Sequence, residues 1–294
     1  MQLEITALEE QPLGALVRGW EPGEALDDGT RDEIAKALAD HVVLVFRGHR
    51  QPTDDELVRF AESFGELIRG SEWLRDAGDR PEILPVTNVR DEQGVPKGTG
   101  GAGQLEWHAD YSYVPRPAKQ SFLNAVKVPD AKPRTYFASQ YHTLETLPPE
   151  LVERLRGLQA RHSVAEYVEG GKDPNRQQLY KGFEAKRQRD EAAGIERPPI
   201  PEATHPVVLR HPDTGRELVY VSKGLTRQIV GLDRDESNAL LKQLHLHATR
   251  PEAVYAHDWQ EGDLVVFDAL AGLHRRDSWD PAQPRVMRQL STTL

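Results

Sequence analysis

The chain has 294 residues, no cysteine, and 37 Lys+Arg against 47 Asp+Glu, a formal net charge of −10. The acid excess argues against a nucleic-acid partner, and the missing thiol excludes disulfides, Cys-held metals and thiol catalysis, so any metal must be held by His, Asp or Glu. No apolar run approaches the roughly 20 residues that span a bilayer, and Met1-Gln2-Leu3-Glu4 lacks the basic and apolar parts of a signal peptide, which predicts a cytoplasmic protein without a membrane partner.

In chain order, Thr30 with Asp32 and Glu33 opens a predicted helix with Ile34, Ala37 and Leu38 on its apolar stripe. Val42 to Phe46 reads as a buried strand ended by Arg47-Gly48. Thr53, before Asp54-Asp55-Glu56, opens a second helix with Leu57, Phe60 and Phe64 on one face, and Gly65 stops it. Val95 to Gly103 is Gly-rich and reads as a loop, a candidate lip for a site. Ser121 to Val128 is strand-like, and Thr143 to Gly157 reads as one helix around Leu144, Leu147, Leu151 and Leu155. The charged, Pro-rich stretch within 165–203 is a candidate lid or insertion. Val207 to Leu209 and Glu217 to Val221 are strands flanking the turn Pro212-Asp213-Thr214-Gly215. An amphipathic helix follows over Arg234 to Ala248, then strands at Leu264 to Phe267 and Arg285 to Thr292. No repeat or Gly/Ser linker interrupts the chain, so one domain over 1–294 is expected. Many short strands with a few helices predict a mainly β fold, a double-sheet core carrying helices outside.

The segment Glu106-Trp107-His108-Ala109-Asp110-Tyr111 carries the chemistry. In an extended chain, residues i and i+2 share a side, so His108 and Asp110 aim an imidazole and a carboxylate at one point. One more His completes a two-His-one-carboxylate set that leaves positions open and suits non-haem Fe(II). His274, shortly after the strand at Leu264 to Phe267, is the candidate. Arg285 opens a strand that leads into apolar residues; a fixed cation there implies a carboxylate partner, such as a dicarboxylate cosubstrate.

With these residues the chain resembles the TauD/TfdA family of Fe(II)- and 2-oxoglutarate-dependent dioxygenases. The likeness runs from Gly14-Ala15-Leu16-Val17-Arg18-Gly19 through Val42 to Gly48, Phe64-Gly65-Glu66-Leu67, Trp107 to Asp110, Thr204 to Val208, Pro251-Glu252 and Asp258 to Leu264, to His274 and Arg285. It implies a double-stranded β-helix (jelly roll) core with surrounding helices, Fe(II) on His108, Asp110 and His274, and the distal carboxylate of 2-oxoglutarate on Arg285 and Thr135. It also implies consumption of O2, release of succinate and oxidation of a C–H bond in a small molecule. Hydroxylation is the default, and desaturation or oxidative decarboxylation begins the same way. A homo-oligomer is expected from the family alone. The runner-up is a jelly-roll protein that binds a ligand without turnover.

The departures from the family bear on substrate. Lys132-Pro133-Arg134 precedes Thr135 where the family has a Gly-Gly-acid run, and Asp268-Ala269-Leu270 replaces its Asp-Asn-Arg. Taurine enzymes hold sulfonate with His, Tyr and Arg; the matching positions here are Gly70, Trp73 and Gln289, which argues against taurine. Arg288 is one residue off and would need a bulge to turn inward. Candidate substrate residues are Gln104, Tyr111, Tyr113, Trp73 and Arg288, which suit an apolar or aromatic body with a few hydrogen-bonding groups. His245 and His247 read as helix-end residues, His205 and His211 as turn and surface residues, and Lys181 to Arg189 as a solvated helix face.

Overall fold

A computed structural model describes residues 2–70, 80–94, 96–164, 188, 191–194 and 201–294. The candidate lid over 165–203 and the basic run at 181–189 fall almost wholly outside the described residues, and Trp73 lies outside them altogether. The described residues form four sheets, of which the two largest carry the site. The larger has the strand order Glu4–Ala7, Ala15–Arg18, Val43–Phe46, Leu264–Asp268, Ala118–Lys127, Val286–Thr293, Leu84–Thr87 and Thr99–Gly100. The smaller has the order Val254–His257, Thr135–Ser139, Gly272–Arg276 and Leu105–His108. Most pairings are antiparallel; Ala15–Arg18 with Val43–Phe46 and Leu84–Thr87 with Thr99–Gly100 run parallel.

Side-chain alternation explains how the larger sheet is covered on both faces. Leu44, Phe46, Phe122, Leu264, Val266 and Leu290 point to the helices Asp28–His41 and Asp54–Glu62, where they meet Ile34, Leu38, Leu57 and Phe60. Their neighbours Val43, Val45, Leu123, Val265, Phe267 and Met287 point the other way and pack on Trp107, Phe137, Ala138, Tyr255 and Leu273 of the smaller sheet. Each large apolar side chain buried in this way contributes about 1.5–3 kcal/mol. The space between the sheets is therefore the core, and the site opens from it.

Several local expectations hold in detail. Thr53 makes a capping box with Glu56, and Asp233 caps the helix Arg234–Ala248. Val208–Arg210 and Glu217–Val219 form the hairpin, with Gly215 at φ 68°. Others are corrected. The first helix begins at Asp28, capped by Asp27 rather than opened by Thr30, because the Asp27 carboxylate accepts the Thr30 N–H. The helix expected over 143–157 is two, Gln140–Thr146 and Pro149–Leu155. Pro148-Pro149 breaks it: proline removes backbone donors and drives the residue before it out of the helical region. The Gly-rich loop contains the short strand Thr99–Gly100. Among the described residues no helix is long and apolar enough to cross a membrane.

Candidate active site

His108 ends the strand Leu105–His108, and His274 is the middle residue of Gly272–Arg276. The two strands are antiparallel neighbours and the two histidines are directly opposed in register. Their rings lie 4.0 Å apart between centroids. Asp110 lies in the turn just past His108, so the extended geometry expected for the pair stops one residue short of it. Its Oδ1 nonetheless sits 3.6 Å from His108 Nε2 and 3.8 Å from His274 Nε2. The three ligand-type atoms all fall within 4.8 Å of one another, a spacing that lets one ion lie between them.

Each donor is aimed by its surroundings. The Glu106 carbonyl, 2.7 Å away, accepts from His108 Nδ1, which leaves Nε2 as the lone-pair nitrogen. The Asp110 Oδ2 accepts from the Ser121 hydroxyl (2.8 Å) and the Gln289 amide (2.7 Å), so Oδ1 faces the imidazoles. Burial pushes the His274 imidazole down to about 3, which keeps it neutral and able to ligate. The turn that leads into the His274 strand is fixed by Asp268, whose Oδ1 accepts the Leu270 and Ala271 N–H groups. His211 Nε2 lies 3.2 Å from Asp268 Oδ2, both groups buried. This corrects the reading of His211 as a surface residue. His205 is buried as well, against His162 and Tyr220. Sequence gave no hint, because their partners are far away in the chain.

A cavity of about 160 Å³ opens beside these three residues. Leu84, Val86, Leu105, Leu123, Val164, Leu225, Tyr111 and Tyr113 give it apolar walls, and Thr135, Arg285, Arg276, Gln289 and Gly100 also reach it. Burial and the neighbouring Asp110 charge raise the Tyr111 phenol, so it stays neutral. Thr135 is buried, and its hydroxyl accepts from Trp259 Nε1 at 2.9 Å. Arg285 is only 1% exposed, and among the described residues its Nε and Nη2 have no hydrogen-bond partner. Desolvation and the charge of Arg276 press on it, yet a guanidinium stays protonated. A buried unpaired cation facing a cavity calls for an anion. The residues thus fit both a metal ion and a carboxylate ligand beside it.

Two candidate substrate residues do not reach the cavity. Gln104 is exposed, and Arg288 is turned to the other face of its strand. There the Arg288 Nη2 donates to Asn124 Oδ1 (2.6 Å) and the Pro52 carbonyl (2.7 Å), and Nη1 to Asp54. Register shifts fall between Val286 and Met287 and between Ser291 and Thr293; at the first the extra residue, Val126, lies on the partner strand, so the alternation from Arg285 to Gln289 is kept and Arg288 stays outward. Gln289, next along, takes the inward position. Ser121, Gln289 and Arg276 were missed as site residues. Strand parity from Arg285 and His274 could have flagged the last two, whereas Ser121 carries no sequence signal.

Gly70 is decided by packing. A Cβ there would overlap Tyr111 Oη and lie 2.7 Å from its Cζ, so the Tyr111 phenol fills the space of any side chain at position 70. Gly70→Ala should cost about 1–3 kcal/mol by overpacking. Adding Tyr111→Phe should recover part of it in denaturant melts; no recovery would show that the clash is not with the hydroxyl.

The class is defined at this point: two packed β sheets bearing an open two-His-one-carboxylate centre with a carboxylate-seeking guanidinium beside it, the ligand set of non-haem Fe(II) oxygenases. The chain belongs to the taurine catabolism dioxygenase TauD, TfdA family, whose model matches residues 5–291. It is similar to pentalenolactone F synthase of Streptomyces avermitilis (36% identical, covering 99% of this chain and 94% of that protein). It is also similar to the (S)-phenoxypropionate/alpha-ketoglutarate-dioxygenase of Sphingobium herbicidovorans (30% identical, 93% and 89% covered). Among solved structures, AAD-2 in complex with Mn(II) and N-oxalylglycine aligns with a TM-score of 0.75 at 26% identity, covering 100% of this chain and 98% of that one. The chain is an oxidoreductase of the 2-oxoglutarate-dependent dioxygenase class, for which Fe(II), 2-oxoglutarate and O2 are cofactor and cosubstrates.

Proposed function

We propose that this protein is an Fe(II)- and 2-oxoglutarate-dependent oxygenase that hydroxylates a C–H bond of a small, largely apolar molecule in the cytoplasm. The observation that carries the reading is the buried, unpartnered Arg285 in the same cavity as His108, Asp110 and His274. In this reading His108, Asp110 and His274 hold the iron, and Arg285 with the Thr135 hydroxyl takes the distal carboxylate of 2-oxoglutarate. The two sheets are the two halves of a jelly-roll core, residues 1–294 form one domain, and 165–203 serves as a lid or insertion. A protein that only bound ligands would have no use for three convergent metal donors, two of them, His108 and Asp110, held by their own hydrogen bonds.

When bound, the iron supplies oxidising power by coupling O2 reduction to the decarboxylation of 2-oxoglutarate to succinate and CO2. The protein's own task is placement. Ser121 and Gln289 hold the carboxylate of Asp110 with one oxygen free, and the Glu106 carbonyl fixes the tautomer of His108. Tyr111, Tyr113, Leu84, Leu123 and Leu225 exclude water and bury the substrate body. Gln289 can also turn its amide to a substrate oxygen. Among the described residues no cation lines the Tyr111 side of the cavity, which supports a substrate that is uncharged where it meets these walls. The solved relative that holds Mn(II) and N-oxalylglycine, an amide analogue of 2-oxoglutarate, supports the pairing of metal and dicarboxylate.

The test is an anaerobic titration with Fe(II) and 2-oxoglutarate, watching for the weak visible band of the metal–2-oxo-acid chelate, then O2 with a panel of small molecules. The expected result is a band, a shift of that band with one panel member, and a product heavier by one oxygen. Iron binding with no band would overturn the reading. A product lighter by two hydrogens would replace hydroxylation with desaturation.

A further inference from the structure

Arg276 is buried in the strand that bears His274, two residues on and therefore on the same face. Register places it directly between Leu105 on one side and Thr135 on the other, and all three line the cavity. Its guanidinium carbon lies 4.5 Å from the Trp279 ring centroid; that of Arg285 lies 5.6 Å from the same centroid. Two buried guanidiniums thus lie against one indole, and both line the cavity together with Thr135. Among the described residues Arg285 Nε and Nη2 have no hydrogen-bond partner, so a buried guanidinium at this end of the cavity is left without an acid. Such an arrangement is costly unless a ligand brings negative charge. Arg276 reaches in another direction too: its Nη2 donates to the Gly100 carbonyl at 2.8 Å and to the Gly103 carbonyl. Those carbonyls belong to the Gly-rich lip, and Gly100 itself lines the cavity.

We propose that Arg276 is a second carboxylate-binding cation at the Thr135 end of the cavity, and that it ties the lip at Gly100 and Gly103 to the bound dicarboxylate. The inference rests on the oxygenase reading above and goes beyond it, by giving the distal carboxylate two guanidiniums rather than one. One donor fork stays on the lip carbonyls while the cation faces the ligand, so a dicarboxylate holds the lip and a monocarboxylate does not.

The experiment is anaerobic calorimetry of Mn(II)-loaded protein with 2-oxoglutarate and with 2-oxopentanoate, which keeps the 2-oxo-acid head and lacks the second carboxylate. For Arg276→Met, 2-oxoglutarate should bind about 10- to 100-fold more weakly and 2-oxopentanoate within about twofold of wild type, the loss expected for one charge-assisted hydrogen bond. Arg276→Lys, which keeps a charge, should retain more of the preference for the dicarboxylate, and it serves if the Met variant does not fold. If Arg276 only shaped the lip, both acids would weaken together; that result, or unchanged 2-oxoglutarate affinity, overturns the proposal. Wild type that binds no 2-oxoglutarate overturns the oxygenase reading and this inference with it. Wild type that binds while Arg285→Met alone loses affinity overturns this inference only.

Discussion

Asp110→Ala should weaken metal binding by well over the roughly 10- to 100-fold that follows loss of an outer hydrogen-bond partner, and turnover should vanish with it. The carboxylate is the only anionic group among the three donors, so its loss leaves two neutral imidazoles to hold a divalent ion. Its environment sharpens the expectation. Oδ2 is saturated by Ser121 and Gln289, and Oδ1 stands 3.6 and 3.8 Å from the two imidazole nitrogens. Gln289→Leu keeps the carboxylate and removes one of its two donors, so it should fall within the smaller range. Equilibrium Fe(II) or Mn(II) binding on the three proteins, with circular dichroism as a check of folding, measures the order. Wild-type metal affinity in Asp110→Ala would remove the proposed metal site.

For Arg285→Met the expected result has two opposite signs. The ligand-free protein should become more stable, by about 1–4 kcal/mol, the gain seen when well-packed apolar groups replace buried charges. The same variant should lose at least about 100-fold in affinity for 2-oxoglutarate, because both the cation and its two-pronged geometry go. The reason lies in one observation: Arg285 is 1% exposed and its Nε and Nη2 are unpartnered among the described residues, so its desolvation is not repaid without a ligand. Functional sites commonly carry such a stability cost. Urea midpoints of the ligand-free proteins test the first sign and calorimetry with 2-oxoglutarate tests the second. A less stable variant with full affinity would show that Arg285 serves the fold and not the cosubstrate.

The membership of the chain and the three clustered residues of its candidate site were legible before any coordinates. His108 and Asp110 are close in sequence, and metal donors two apart in a strand-like stretch form a local pattern. His274 and Arg285 were legible because each sits by a compact apolar strand. The helix Arg234–Ala248 and the Thr53 cap were equally local, set by 3.6-residue periodicity and a single capping side chain. The break at Pro148-Pro149 was written in the sequence, yet the leucine spacing on both sides masked it.

What the sequence determined by itself is the chemistry available: no thiol, His and Asp as candidate metal donors, an Arg at the head of the last strand, and alternating apolar strands that must pack as two layers. Tertiary structure alone decided which of those groups meet. Only strand register opposes His274 to His108 and sets Arg276 beside Thr135. Strand parity separates Gln289 from Arg288, but only the pairing of the larger sheet brings Gln289 to Asp110 and Arg288 to Asn124. The same holds for Tyr111 filling the space over Gly70 and for His211 bracing Asp268. The physical reason is range. Capping, periodicity and strand parity act within a few residues, whereas the polarity of the cavity depends on which faces of distant strands are brought into register.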